Sequence, residues 1–203
     1  MFDVLIIGGG VSGMSCALLL GSAQHKPFAA NKKIGVITHQ KASSLQNAVF
    51  NNAYGIPAGT TGASLLAESK THLAAVYPHV IQLETLKITA ISGELNQFTL
   101  TTHTGEILES RRVVIAIGAG NPFPIAGLES YVIPHQKAHP DKNRLQLRNT
   151  DHVVKPGLYV CGTLAGWRSQ LPIAAGSGAS VATDILTEWN DGIPVQVHDS
   201  VNR

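Results

Sequence analysis

Glycines lead the residues whose type and spacing could do chemistry. Gly8, Gly10 and Gly13 fill the slots of a G-x-G-x-x-G pattern, with Val11 and Ser12 between the last two. The apolar run Val4-Leu5-Ile6-Ile7 precedes it, long enough for a buried strand and too short for most helices, and an apolar, helix-like segment follows. Strand, glycine turn and helix in that order form the context in which the pattern binds a dinucleotide diphosphate. Gly8 allows the tight turn, Gly10 lets the backbone approach the diphosphate, and Gly13 lets the helix pack on the strand. The free N–H groups of the helix start, at Val11 and Ser12, then face the phosphates with the helix dipole behind them.

The next candidates lie at the second strand, Ile34 to Thr38, which completes a right-handed β-α-β unit with parallel strands. A Rossmann unit usually places an Asp or Glu there for a ribose. Thr38 and His39 stand in its place, and no Asp or Glu occurs between Asp3 and Glu68, whereas Lys26, Lys32, Lys33, Lys41, His25 and His39 do. A carboxylate-bound NAD ribose is therefore disfavoured. The basic neighbourhood suits a diphosphate and could also suit the 2′-phosphate of NADP. The turn-rich stretch from Lys41 to Thr61 holds Asn47, Asn51 and Asn52 and reads as a binding segment.

Other constellations carry less. His135 and His139 are four apart, but Pro134 and Pro140 argue against a helix and no third ligand is in sight, so they read as surface or structural histidines. Cys16 and Cys161 are too far apart for C-x-x-C chemistry or a thiolate zinc site; they read as inert core and fit a reducing compartment. No Ser-His-Asp order or paired carboxylate stands out, so no catalytic residue and no metal ligand is assigned. Gly176 and Gly178 sit inside the final helix, where glycine costs about 1 kcal/mol relative to Ala, which close approach of a ligand or of another backbone would explain. Trp167 covers either a ring or an interface, or packs in its loop.

These residues need a scaffold, and the pattern supplies one. The first helix is expected over Val11–Ala23 and a second over Ala63–Tyr77, ended by Pro78. Strands over Val80–Ile91, Gln97–Thr102 and Ile107–Ile117, separated by Ser92-Gly93 and His103-Thr104-Gly105, suggest an antiparallel meander whose last run returns to the central sheet. Residues 125–156 read as irregular, Leu158–Cys161 as a buried strand and Pro172–Trp189 as the final helix, with a polar, loosely held tail beyond. The fold class is α/β, a Rossmann-like fold with a central parallel sheet and a small antiparallel meander, in one domain over 1–192 with a tail at 193–203. At 203 residues, 44% hydrophobic, 14% charged and net +2, the composition is that of a globular protein and supports neither nucleic-acid nor membrane-surface binding. The N-terminus shows no basic region before a cleavable apolar core, so the cytoplasm is the expected location.

Four segments in order resemble the FAD-binding part of the thioredoxin-reductase-like flavoproteins. Gly8–Gly13 matches the diphosphate loop, and Asn51-Asn52-Ala53-Tyr54-Gly55-Ile56-Pro57 resembles the asparagine-containing segment beside the flavin. Val114-Ile115-Ala116-Ile117-Gly118-Ala119 is similar to the I-A-T-G-A strand, with Ile117 for the usual Thr. Pro156-Gly157-Leu158-Tyr159-Val160-Cys161-Gly162-Thr163 is similar to the P-G-L-Y-A-A-G-D strand that ends at the ribityl chain, and Ser169-Gln170-Leu171 resembles the R-Q-A helix start at the pyrimidine side. The resemblance implies FAD as cofactor. The binding residues it implies are Gly8, Gly10, Val11, Ser12, Gly13, Thr38, His39, Asn47, Asn52, Ile88, Ile117, Gly118, Gly162, Thr163, Gln170 and Leu171. N–H groups at the final helix start would stabilise negative charge on the reduced ring.

Two departures shape the functional expectation. The family's Asp is Thr163 here, a weaker partner for a ribityl hydroxyl than a carboxylate. Between Ala119 and Pro156 the family inserts an NADPH domain with its own glycine motif and a C-x-x-C, and this chain has neither motif there. An FAD-dependent oxidoreductase is expected, without a redox dithiol, taking electrons from a separate donor protein or from NAD(P)H docking at the flavin. A non-catalytic electron-relay subunit and a single-domain NADP-dependent reductase are the alternatives. The resemblance also suggests a homodimer.

Overall fold

The computed structural model describes residues 1–38 and 43–198. In chain order its elements are β1 (Val4–Ile7), α1 (Val11–Ser22), β2 (Ile34–Ile37), β3 (Val49–Phe50), β4 (Thr60–Thr61), α2 (Gly62–Val76) and β5 (Ile81–Leu83). They continue with β6 (Ile88–Ser92), β7 (Phe98–Thr102), β8 (Ile107–Ser110), β9 (Val113–Ile115), β10 (Val132–Pro134), β11 (Leu145–Leu147), β12 (Val153–Lys155), β13 (Leu158–Val160) and α3 (Leu171–Trp189).

A six-stranded sheet in the order β12-β13-β9-β1-β2-β5 forms the middle layer. Its strands are parallel except β12, which is antiparallel to β13. Both faces are covered, which is why β1, β9 and β13 read as unbroken apolar runs rather than alternating ones. Side chains still alternate between the two cores, as strand geometry requires. Val4, Ile6, Val36, Val114 and Tyr159 join α1 and α3 on one side. Leu5, Ile7, Ile37, Val113, Ile115, Leu158 and Val160 meet Ile88, Ile91, Phe98 and Leu100 of the meander β6-β7-β8 on the other.

The helices α1 and α3 cross closely. Ser15 Oγ donates to the Ala175 carbonyl at 2.8 Å, and a Cβ placed on Gly178 would lie 1.9 Å from the Ser12 carbonyl oxygen. Close approach of another backbone is thus the reason for glycine at 178. Gly176 differs, with nothing within 4 Å of the same position. The helix α2 is capped by Thr61 Oγ1, which accepts the Ser64 N–H at 3.2 Å, and it stops before Pro78.

Two expected strands divide. Val80–Ile91 splits because Ile81–Leu83 extends the parallel sheet after the α2 crossover, while Ile88–Ser92 opens the meander. Ile107–Ile117 splits at Arg111 and Arg112, whose guanidinium groups pair with Asp3 at 2.9 Å and Glu188 at 2.6 Å. Charges cannot continue a strand buried on both faces. The stretch 125–156 contains the β10–β11 hairpin and the edge strand β12 where irregular chain was expected. Beyond α3, Val195 and Val197 pack on the helix-side core. Among the described residues no helix is long and apolar enough to cross a membrane.

Candidate cofactor site

Parallel strands β2, β1, β9 and β13 end at the same edge of the sheet, so the loops that leave them meet there. A Cβ on Gly9 would lie 2.8 Å from Thr38 Cα, and one on Gly8 would lie 2.4 Å from the Ala116 carbonyl oxygen. One on Gly162 would lie 2.6 Å from Ser12 Oγ, and one on Gly118 would lie 3.8 Å from Thr163 Oγ1. Thr38, the glycine loop, Ala116–Gly118 and Gly162–Thr163 therefore meet at one edge of the sheet. In open α/β sheets this carboxyl end is where ligands bind.

The glycines of the loop do different work. Gly8 has φ +118°, a conformation closed to other residues. Gly13 lies so close to the preceding turn that its Cβ would be 1.9 Å from the Gly8 carbonyl oxygen. Gly10 is less crowded: among the described residues its Cβ position would meet Ser43 Oγ at 3.6 Å, an ordinary contact. The first two build the turn. Gly9, outside the motif slots, is needed for packing on Thr38, a role that no spacing rule signals.

Electrostatics agrees with an anionic ligand. Neither α1, with Gly10 at its N-cap, nor α3, with Gln170, has a side-chain cap or an acidic residue in its first turn. Helix starts without side-chain caps or acids attract anions. Thr38 Oγ1 is buried, with no hydrogen-bond partner among the described residues, where a ribose-binding acid usually stands. These features fit a dinucleotide lying from Thr38 across the glycine loop to Thr163.

The turn that carries Thr163 is held by residues whose sequence positions give no hint of contact. Gly162, at φ +72°, donates its N–H to Ser177 Oγ at 2.8 Å. The same hydroxyl faces His152 Nε2 at 2.9 Å. His152 is 6% exposed, and burial lowers its pKa, leaving a neutral ring that can accept the Ser177 proton. Trp167 stacks on that ring, centroids 5.5 Å apart, so its role in the structure is to cover His152. Contacts between residues this far apart in sequence leave no periodic signal.

The other residues expected to bind a cofactor are dispersed. Ile117 is buried on the meander side. Ile88, which opens β6, has its side chain in that same core. Asn47 and Asn52 are exposed beside the β3–β4 hairpin, whose turn is shaped by Asn51 accepting the Gly59 N–H at 2.9 Å. Gln170 is exposed and Leu171 half-buried at the start of α3. His39 lies outside the described residues. His139 is exposed and sits 3.5 Å from Asp141, and among the described residues no cluster could hold a metal.

The two cysteines belong to the helix-side core. Both are buried and unbridged. Burial pushes the Cys161 thiol up to about 12, and Cys16 is raised well above its usual value by burial and by Cys161. Thiols in this state are poor nucleophiles.

A family model for pyridine nucleotide-disulphide oxidoreductases matches residues 2–169. The chain belongs to that family. A ferredoxin–NADP reductase of Listeria innocua is 32% identical over 133 residues, 64% of this chain and 38% of that protein. One of Lactiplantibacillus plantarum is 29% identical over 121 residues, 59% of this chain and 35% of the relative. The match thus covers well under half of these relatives. Among solved structures, a thioredoxin reductase from Gloeobacter violaceus aligns with a TM-score of 0.71 at 14% identity, over 98% of this chain and 97% of that one. A ferredoxin-flavin thioredoxin reductase from Clostridium acetobutylicum aligns at 0.66 and 16% identity, over 94% and 98%. These likenesses establish the fold: mixed α/β with a central, mostly parallel sheet.

Proposed function

We propose that this pyridine nucleotide-disulphide oxidoreductase family member is an FAD-dependent oxidoreductase. The observation that carries the reading is the meeting of the glycine loop, Thr38, Gly118 and Thr163 at the strand ends, beside two helix starts that lack a side-chain cap and a first-turn acid. The loop Gly8–Gly13 and the α1 start would hold the diphosphate, and Thr38 the adenosine side. Gly118 and Thr163 would meet the ribityl chain, and Gln170 and Leu171 at the α3 start the pyrimidine edge. Asn47 and Asn52 would flank the ring. FAD, when bound, supplies the electron-transfer chemistry, and the protein supplies binding, orientation and tuning. The α3 dipole would favour negative charge at the ring's N1–C2=O edge.

Two supports point to a separate electron donor. The connection from Ala119 to Pro156 holds a short hairpin, and the buried, raised thiols provide no dithiol relay on this chain. The names of the relatives, ferredoxin–NADP reductase and ferredoxin-flavin thioredoxin reductase, favour an electron-carrier protein or NADPH as that donor. The reading includes one cofactor unit over 1–192, a homodimer, and a reducing, cytoplasmic compartment consistent with two free cysteines.

Anaerobic reduction of the FAD-loaded protein tests the donor. A chemically reduced ferredoxin should bleach the flavin absorbance at least about tenfold faster than NADPH, the preference a 1.4 kcal/mol difference in barrier produces. Rapid bleaching by NADPH alone would place nucleotide docking on this chain. Tight NADPH binding with no FAD uptake would replace the reading with an NADP-dependent reductase.

A further inference from the structure

The β10–β11 hairpin joins two of the loops assigned to the cofactor. At its root, the Leu145 N–H donates to the Ala119 carbonyl at 3.3 Å, one residue past Gly118. At its other contact it grips the turn after β13. His135 Nδ1 accepts the Lys137 N–H at 3.1 Å, which leaves the ring proton on Nε2. That nitrogen lies 3.0 Å from the Thr163 carbonyl oxygen and donates to it. Asn149 Nδ2 ties the hairpin's last strand to the same turn, donating to the carbonyls of Leu147 at 2.7 Å and Ala165 at 3.1 Å.

The Thr163 carbonyl also accepts the Gly166 N–H at 3.0 Å. That local bond closes the turn by itself. The bond from His135 is additional, and it fixes the turn against the hairpin rather than forming it. It acts on the residue whose hydroxyl replaces the carboxylate expected at this position. A hydroxyl offers a weaker hydrogen bond than a carboxylate, so its value depends on being held in place before the ligand arrives.

We propose that His135 is a positioning residue for the cofactor, holding the Thr163 peptide so that Thr163 Oγ1 is presented to the ribityl chain. This rests on the FAD reading above. Preorganisation of this kind lowers the cost of binding without adding a contact to the ligand.

FAD titration by flavin fluorescence, with thermal unfolding of the apo-protein alongside, tests it on His135→Ala, His135→Gln, Thr163→Val and the double variant His135→Ala/Thr163→Val. His135→Ala should weaken FAD binding about tenfold and leave apo Tm close to wild type. His135→Gln, whose amide can donate to the same carbonyl, should restore most of the affinity. The double variant should bind no more weakly than Thr163→Val alone, because the positioning has nothing left to position. Wild-type affinity in His135→Ala, or additive losses in the double variant, would overturn the proposal while leaving the FAD reading intact. Absence of FAD uptake by the wild-type protein would overturn both.

Discussion

Gly10→Ala should leave the apo-protein as stable as wild type and reduce its FAD affinity about 100-fold, the loss expected from one or two charge-assisted hydrogen bonds. Gly10 has φ −80°, available to any residue, and among the described residues the added carbon would meet Ser43 Oγ at 3.6 Å, an ordinary contact. On the FAD proposal, the methyl occupies the space through which the diphosphate would approach the α1 start. Thermal unfolding and flavin titration on the same preparation separate the two effects. A fall in apo stability would mean that Gly10 belongs to the fold rather than the site. Unchanged FAD affinity would mean that the diphosphate does not pass there.

Gly178→Ala should act in the opposite way. Its Cβ would sit 1.9 Å from the Ser12 carbonyl oxygen, a backbone atom that cannot rotate aside. The crossing of α1 and α3 must open, and overpacking of this kind costs ~1–3 kcal/mol or more. At ~2–4 °C per kcal/mol for a chain of this size, Tm should fall by several degrees. FAD affinity should fall with it, because α3 also carries Ser177, which accepts the Gly162 N–H, and Ser12 packs against Gly162. Gly176→Ala is the matched control: it has nothing within 4 Å, and replacing a helical glycine stabilises by up to about 1 kcal/mol. Equal destabilisation by both substitutions, or by Gly176→Ala alone, would contradict the assignment of the crossing.

The contrast between Gly176 and Gly178 shows where sequence reasoning runs out. Both break the same helical pattern, yet one meets a backbone and the other meets nothing, a difference set by a helix more than 150 residues earlier in the chain. Features written in local pattern were legible: the β1–turn–α1 unit from apolar run and glycine spacing, the meander from its turns, and α3 from its length and apolar residues. Strand ends were less so, because Arg111 and Arg112 break an apolar run only once their partners Asp3 and Glu188 are in place. The meeting of the loops at one sheet edge followed from the parallel order of the strands. The supports of the Thr163 turn did not. His135 and His139 drew attention by their spacing to each other, whereas the partner of His135 is the Thr163 carbonyl. His152 and Ser177 carried no sequence signal for their meeting.

FAD uptake by the purified protein tests the central claim most directly. Addition of FAD followed by removal of free ligand should leave a stoichiometric flavin with the perturbed visible bands of a bound ring, and the mixture should show saturable change in flavin fluorescence. A protein that retains no flavin absorbance, while remaining folded, would contradict the assignment of the sheet edge between Thr38 and Thr163 to FAD.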